Sequence, residues 1–216
     1  MRAMGHIGVM SLLGTLFVSA CSVVGIRSGT EEPHYEVVER VGEAELRAYA
    51  PRLAAETVVP GTAEAARGEG FRRLAGYIFG GNAGGSRIAM TAPVAQADAG
   101  PGQRIEMTAP VAQAPAGAAG RSIRFFLPAD IADPPAPRDA RVRIVTVPEE
   151  TVAVLRFAGI ASDGAIAAQC ARLLGLLGPS AWAPAGPPVT WFYDPPWTLP
   201  PFRRNEVAVP VVRRPG

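Results

Sequence analysis

A phrase of ten residues that occurs twice constrains this chain more than any other feature. Residues 88–97 read IAMTAPVAQA and residues 105–114 read IEMTAPVAQA. In both copies apolar side chains alternate with their neighbours at the period of a β-strand, and the connector is short, so we expect adjacent strands of a hairpin. Each copy reaches a proline, Pro93 or Pro110, which has no amide hydrogen and belongs at a sheet edge, a bulge or a strand end. The repeated phrase therefore predicts a sheet with an interruption.

The beginning of the chain has the composition of an export signal, which we assign to residues 1–20. Arg2 supplies a positive charge, and the apolar run that follows is too short to span a bilayer comfortably. The sequence VSAC ending at Cys21 resembles the lipobox of bacterial lipoproteins, which implies cleavage before Cys21 and acylation of its thiol. We therefore expect a lipid-anchored protein of the cell envelope, on the outer membrane or the periplasmic face of the inner membrane. An ordinary secretory signal that contains a cysteine is the alternative.

The spacing of apolar residues predicts one domain over residues 35–212, which follows an acylated N-terminus and tether over residues 21–34. A first helix is predicted over residues 62–79, with Thr62 as its cap, and a second helix begins after Ser162 or Asp163. Strands are predicted at residues 35–41, 44–50, 54–59, 122–128, 141–147, 151–157, 189–193 and 206–212.

The predicted order is strand, helix, strand, strand, and the same order then repeats. Short turns join most neighbouring strands, and the strands at residues 141–147 and 151–157 are expected to form a hairpin. The sheet should therefore be largely antiparallel, with both helices packed on it. We predict an α+β domain whose second half is a degenerate copy of the first.

Composition argues against several classes of function. The net charge is only +2, so the chain lacks the positive charge that nucleic-acid binding requires. Beyond the leader it has one histidine, His34, and one cysteine besides Cys21, Cys170, which is too few for a metal cage or a histidine-based catalytic site. The glycines of GGNAGG follow a helix and lack the ending of a phosphate loop, so they predict a turn. No catalytic constellation is expected.

Two features point to a ligand. Arg67 lies one turn before Phe71 on nearly the same face of the first helix. The loop over residues 194–202 crowds Trp197 and a phenylalanine among prolines and is followed at once by two arginines. Such a surface suits a flat apolar ligand with acidic edges. Alternatively, these aromatic residues close the barrel and the arginines pair with Glu206 or other carboxylates.

Several motifs occur in the order found in one known family: YEVVERVGEAELRAYAP, GFRRLAGYIFGGN, the paired MTAPV phrases, FFLP followed by PPAPRD, VAVLRFAG and YDPPWTLPPFRRNEV. Over residues 35–212 the chain resembles the SOUL haem-binding family, as a bacterial lipoprotein member. The resemblance implies a twisted, barrel-like, mostly antiparallel sheet flanked by two helices, built as a duplicated strand-helix-strand-strand unit.

The family resemblance also implies a function, namely binding of haem or a related tetrapyrrole rather than catalysis. The implied site is a shallow apolar groove between the first helix and the loop before the last strand. The matching positions here are Phe71, Leu74, Ala75 and Ile78 on the helix and Pro196 and Trp197 on the loop. Contacts to the propionates are expected from Arg67, or from Arg72 or Arg73.

The family is not uniform about an axial iron ligand. Met90, Met107 and His34 are the candidates in this sequence. The two methionines alternate with their neighbours along predicted strands, and such residues are more often part of a hydrophobic core than ligands of iron.

The leading hypothesis is a non-catalytic, lipid-anchored envelope protein whose partners are a tetrapyrrole and the membrane that holds its anchor. The alternative is a small-molecule effector-binding or protein-interaction module that has the same fold and binds no haem. An enzyme ranks third among the hypotheses, because the sequence assembles no general base, nucleophile or metal site.

Overall fold

The computed structural model describes residues 30–99 and 120–215. The helices are α1 (Ala63–Ile78) and α2 (Asp163–Leu177), and a short 3₁₀ helix covers Pro200–Phe202. The strands are β1 (Glu36–Val41), β2 (Ala44–Tyr49), β3 (Arg52–Pro60), β4 (Val94–Asp98), β5 (Gly120–Phe126), β6 (Val142–Val147), β7 (Glu150–Ala158), β8 (Trp182–Pro184), β9 (Val189–Phe192) and β10 (Arg204–Arg213). Neither α-helix is long and apolar enough to cross a membrane.

All ten strands form one twisted antiparallel sheet. Its order is β1-β2-β7-β10-β9-β4-β5-β3-β6, and β8 pairs with the end of β10. The first and last strands of this order do not pair with each other, so the sheet curves without closing into a barrel. The predicted α+β class and the twisted, mostly antiparallel sheet are confirmed, and the barrel-like sheet that the resemblance implied does not close.

The sheet is built from two repeats, β3-α1-β4-β5 and β7-α2-β9-β10. The repeats meet at the centre, where β4 pairs with β9. Each repeat also receives a strand from the other half of the chain, because β2 pairs with β7 and β6 pairs with β3. The predicted duplication is therefore confirmed, and the two repeats share one sheet.

The hairpin predicted between β6 and β7 is wrong. β6 pairs with β3 at one edge of the sheet, whereas β7 lies between β2 and β10 in the other half. β7 buries four consecutive residues, 152–155, because one apolar cluster covers Val152 and Val154 and another covers Ala153 and Leu155 on the opposite face. β6 is half-exposed and suits an edge.

The repeated phrase is also arranged differently from the prediction. In its first copy the strand begins only at Val94, after Pro93, and the Ala92–Pro93 peptide bond is cis. β4 is paired on both sides, with β5 and with β9, whereas the prediction gave the first copy a hairpin partner. The second copy, with Met107, lies outside the described residues. Proline explains the late start, since it cannot donate to a neighbouring strand.

Both helices begin with the same side-chain cap. The Ala65 amide donates to the Thr62 hydroxyl at 3.4 Å, and the Ala165 amide donates to the Ser162 hydroxyl at 3.2 Å. Ser162 is therefore the cap of the second helix, and the predicted cap of the first is confirmed. In α2, Leu173 and Leu177 are buried whereas Leu174 is exposed.

The two helices pack on the same face of the sheet, here called the helix face, which carries Phe125 and Phe192. The opposite face, here called the inner face, carries their chain neighbours Phe126 and Trp191, because successive side chains of a strand point to opposite sides. Each helix covers an apolar cluster of its own repeat, and a third cluster on the inner face joins both repeats.

Candidate functional site

The side of α1 that faces the middle of the sheet carries an arginine and an aromatic ring. The guanidinium carbon of Arg67 lies 4.4 Å from the centroid of the Phe192 ring on β9. The Phe71 ring packs edge-on against Phe125 of β5, with a centroid separation of 5.3 Å, yet it remains 40% exposed. Arg67 and Phe71 therefore present a cation and an apolar ring side by side, as the helical spacing predicts. We call this surface the α1 groove.

The charge of Arg67 is incompletely compensated. Burial lowers its pKa, and the nearby carboxylates of Glu64 and Asp163 oppose that effect. Within residues 30–99 and 120–215, no carboxylate lies close enough to form an ion pair with Arg67. A half-buried guanidinium of this kind can bind a carboxylate from a ligand.

The loop that follows β9 exposes its aromatic side chains. Trp197 is 63% exposed, and Leu199 and Phe202 are also exposed. Phe192, which contacts Arg67, is separated from this loop only by Tyr193. The aromatic residues of the loop therefore do not close a barrel.

The arginines after this loop are bound within the protein. Arg203 donates from Nε to the Thr198 carbonyl oxygen at 2.6 Å and also donates to the Pro196 carbonyl. Arg204 pairs with Glu206 at 2.9 Å and with Glu32 at 3.0 Å. The sequence left open whether these arginines face a ligand or pair with carboxylates of the protein. Arg204 pairs with carboxylates.

The remaining predicted groove residues differ in their exposure. Leu74 and Ile78 are completely buried in the cluster beneath α1, so they support the groove from below and offer no surface to a ligand. Ala75 is half-buried, and Pro196 is exposed on the loop. The structure thus brings Arg67 and Phe71 together at the surface, and contacts from the other positions stay predictions.

The candidate iron ligands lie in irregular segments or outside the described residues. Met90 is exposed and precedes β4, and His34 is exposed and precedes β1. Met107 and the predicted lipidation site Cys21 lie outside the described ranges. Among the described residues, no group of three or more histidine, cysteine or acidic side chains could hold a metal ion.

Cys170 is half-buried and packs against the cluster beneath α2. Burial raises the pKa of its thiol, as expected for a small core residue rather than a reactive nucleophile.

The inner face holds a charged network around Glu206, of which the sequence analysis anticipated only the pairing with an arginine after the loop. Glu206 is completely buried, and it accepts hydrogen bonds from Arg47 at 2.8 Å and from the Tyr193 hydroxyl at 2.8 Å. Burial raises the pKa of Glu206, but Arg47, Arg204 and Tyr193 outweigh this effect and hold the pKa below its ordinary value. The available signal was a single acidic residue within the apolar strand NEVAV, which predicts a buried and paired charge.

Glu56 on β3 forms a second buried network of this kind. It accepts hydrogen bonds from the Ser122 hydroxyl at 2.8 Å and from Arg143 at 2.8 Å, and it also pairs with Arg124. Burial raises its pKa, and the two arginines and Ser122 together hold the pKa below its ordinary value.

Three solved structures share the overall fold at very low sequence identity. The C-terminal domain of EcmrR matches with a TM-score of 0.53 and 10% identity, covering 83% of this chain and 98% of that one. An uncharacterized conserved protein from Listeria innocua matches with a TM-score of 0.51 and 11% identity, covering 86% and 94%. A hydrolase from Listeria innocua matches with a TM-score of 0.51 and 10% identity, covering 79% and 92%. At these identities the likeness concerns the fold alone.

No match was found among curated proteins. The family model described as "SOUL heme-binding protein" matches residues 30–210, which is most of the chain. The match includes both helices and every strand except the last three residues of β10. The duplicated sheet with its two helices agrees with what the motif order implied. The chain therefore belongs to the SOUL heme-binding protein family.

Proposed function

We propose that this protein binds haem or a related tetrapyrrole in the α1 groove and does not catalyse a reaction. The observation that carries the proposal is Arg67, a half-buried guanidinium without an ion pair to a described carboxylate, stacked on Phe192. Beside it Phe71 leaves much of its ring exposed. A tetrapyrrole has a flat apolar face and a carboxylate edge, which match the two halves of this surface.

The residues of the groove fit such a ligand in distinct ways. Phe71 offers an apolar contact to the macrocycle, Arg67 offers hydrogen bonds to a propionate, and Trp197 on the neighbouring loop offers a second aromatic surface. Haem, when bound, supplies a redox-active iron. Met90 and His34 are exposed side chains that are chemically able to bind that iron.

Titration of haemin and protoporphyrin into the chain from residue 22 onward tests this proposal. We expect a saturable change in the Soret band, and we expect Phe71→Asp, Trp197→Ala and Arg67→Met each to weaken binding by about tenfold. Val37→Asp is the matched control, because Val37 is similarly exposed but lies on β1, in the other half of the sheet. An absent Soret change, or one that Phe71→Asp and Trp197→Ala leave unaffected, would refute the proposal.

We also propose that Cys21 is acylated and holds the protein at a membrane of the cell envelope. The lipobox-like sequence VSAC supports this, since acyl chains make such an anchor stable. In a bacterial host, Cys21→Ser should move the protein from the membrane fraction to the soluble fraction and remove the lipid mass. An unchanged membrane fraction would argue against the anchor.

A second candidate is a module of the same fold that binds a protein partner or another small molecule and no haem. The exposed apolar side chains of the loop, Trp197, Leu199 and Phe202, favour it because surfaces of this kind are often binding sites. This candidate is preferred if the purified chain shows no Soret change, yet retains a partner or a ligand that Trp197→Ala releases.

A further inference from the structure

Two uncharged segments lie side by side at one end of the second repeat. Residues 157–162 (FAGIAS) lead from β7 into α2, and residues 195–202 (PPWTLPPF) precede β10. The Gly159 amide donates to the Pro200 carbonyl oxygen at 3.0 Å, and the Asn205 side chain donates from Nδ2 to the Gly159 carbonyl oxygen at 3.0 Å. These hydrogen bonds hold the two segments together.

Both segments expose large apolar side chains. The exposed fraction is 65% for Ile160, 63% for Trp197, 48% for Leu199 and 52% for Phe202. We call these four side chains the loop surface. Exposed apolar surface of this kind marks a contact with another protein or with a membrane.

The backbone beneath the loop surface is hydrogen-bonded within the protein. Four of the eight residues in 195–202 are prolines, which have no amide hydrogen. The Phe202 amide donates to the Leu199 carbonyl oxygen at 2.9 Å, and the Ser162 amide donates to the Ile160 carbonyl oxygen at 3.0 Å. The carbonyl oxygens that accept such bonds belong to Gly159, Ile160, Pro195, Pro196, Thr198, Leu199 and Pro200.

This pairing matters because a backbone carbonyl that loses water without gaining another partner is costly, above all in hydrocarbon. The carbonyls of the two segments already have partners in the protein. Little hydrogen bonding is therefore lost when water leaves the loop surface, whereas much apolar side-chain surface is buried. The loop surface suits a dry, apolar environment.

The charges around the loop surface contribute little to such a contact. Arg203 donates to two carbonyl oxygens of the loop itself, and Arg204 pairs with Glu206 and Glu32. Arg156 and Asp163, at the two ends of the first segment, carry opposite charges. The expected partner is therefore bound through apolar side chains and not through its charge.

The beginning of the described chain favours a membrane as the partner. Glu32 pairs with Arg204 at 3.0 Å, and Arg204 follows Phe202 by two positions. Thr30 lies nine positions after Cys21, and a chain of that length spans at most about 30 Å. An anchor at Cys21 therefore keeps the loop surface close to the bilayer.

We propose that the loop surface docks on the phospholipid bilayer that holds the anchor, with its apolar side chains between the headgroups and the acyl chains. This inference rests on the proposed acylation of Cys21. Aromatic rings such as those of Trp197 and Phe202 are favoured at that depth. Trp197 also borders the α1 groove, but docking requires no bound tetrapyrrole.

The test uses the chain from Cys21 onward, which includes every described strand and helix. It is coupled through the Cys21 thiol to a maleimide lipid, in a Cys170→Ala background. Because this link replaces the acyl chain, the result does not depend on acylation in a cell. Phosphatidylcholine vesicles with brominated acyl chains should quench the fluorescence of Trp197. Trp197→Phe should remove the quenching, since Trp191 is buried and Trp182 is half-buried.

Two double variants separate the loop surface from other exposed apolar residues. Leu199→Ser with Phe202→Ser should lower the ratio of docked to undocked chain by at least about tenfold. Val58→Ser with Phe79→Ser is the matched control, because these residues are 42% and 60% exposed in the first repeat, and it should leave the quenching unchanged. Quenching should also persist in about 1 M salt, which screens charges.

Absence of quenching would overturn the proposal and leave the loop surface to a protein partner. Quenching that survives Trp197→Phe, equal losses in the two double variants, or loss in high salt would overturn it as well. Haemin titration of the same samples reports on the α1 groove separately. A chain that is quenched by the vesicles but binds no haemin supports docking and refutes only the tetrapyrrole site.

Discussion

The two repeats use the same scaffold, but only the helix of the first repeat carries a candidate ligand-binding surface. A glycine with positive φ precedes each helix, Gly61 at 108° and Gly159 at 102°, and a hydroxyl caps each helix. Counted from these caps, Arg67 and Phe71 of α1 correspond to Ala167 and Ala171 of α2. The two copies therefore share their backbone geometry before and at the start of the helix, whereas the arginine and the aromatic ring at these two positions occur only in α1.

The repeats also differ in how they bury charge. Glu206 in the second repeat is surrounded by buried partners, since the side chain of Arg47 is only 5% exposed. Glu56 in the first repeat is buried as well, but its partner Arg143 is 68% exposed. Water can solvate the arginines around Glu56 if the carboxylate is lost, which it cannot do for Arg47. Loss of the carboxylate should therefore lower the free energy of unfolding more at Glu206 than at Glu56.

The largest predicted effect comes from Glu206→Gln. It leaves Arg47 buried with only Glu45 as an ionic partner, so we expect the free energy of unfolding to fall by about 3 kcal/mol. Glu56→Gln should cost only about 1 kcal/mol, because exposed arginines regain water. Urea denaturation of both variants measures this difference. Equal losses would show that the exposure of the partners does not set the cost.

The same two carboxylates predict an acid-sensitive fold. The pKa of each is held below the ordinary value of 4.5, so the stability that each contributes is present above pH 4.5 and is lost as the pH falls through the lowered pKa. We expect the wild-type midpoint of urea denaturation to drop steeply below pH 4.5, and Glu206→Gln to flatten that drop more than Glu56→Gln. A pH profile that neither variant changes would assign acid sensitivity to other groups.

An intermediate effect is expected at the contact between α1 and the sheet. A Cβ atom added at Gly70 would lie 2.5 Å from Ile123 Cγ1, whereas the corresponding position of α2 holds Cys170. Gly70→Ala should therefore destabilise by about 1–2 kcal/mol, even though alanine favours a helix. Gly68→Ala is the control, because nothing lies within 4 Å of its added Cβ, and it should stabilise by up to about 1 kcal/mol. Thermal unfolding measures both, and a stabilising Gly70→Ala would contradict the close approach.

The smallest effects are expected at the two caps. Thr62→Ala and Ser162→Ala each remove one hydrogen bond to a first-turn amide, which should cost about 1 kcal/mol in either repeat. Chemical denaturation should give two similar losses if the caps are equivalent. A cost at only one cap would show that the repeats differ in their backbone ends as well as in their side chains.

Local patterns in the sequence predicted most of the elements. Nearby residues specify where α1 begins and ends, and Thr62 caps its start. The turn after it is also local, since the Asn82 side chain donates to the Tyr77 and Ser86 carbonyl oxygens. The β1–β2 hairpin around Gly42 was predicted on the same basis. The predictions that were wrong concern partners: β6 with β7, and the first copy of the repeated phrase with the second. Such pairings join distant residues, and a strand's own residues do not specify its neighbour.

Helical spacing selected Arg67 together with Phe71, and the structure brings them together at the surface. The family motifs of α1 also point to Phe71. They also selected Leu74 and Ile78, which helical spacing alone cannot distinguish from surface positions. The stacking of Arg52 on the rings of Tyr49 and Phe126 was not predicted, because these residues come from β3, β2 and β5. No motif spans these residues.

The sequence by itself determined the repeat order, the helix ends, the interruption at Pro93 and the family, because these depend on backbone preferences and on short motifs. Only the tertiary structure decided that the sheet stays open, that β4 and β9 join the repeats, and that Arg52 keeps two buried donors without partners. Those features depend on which strands become neighbours. That choice is made by burial of apolar surface across the whole sheet, which no short segment of the chain encodes.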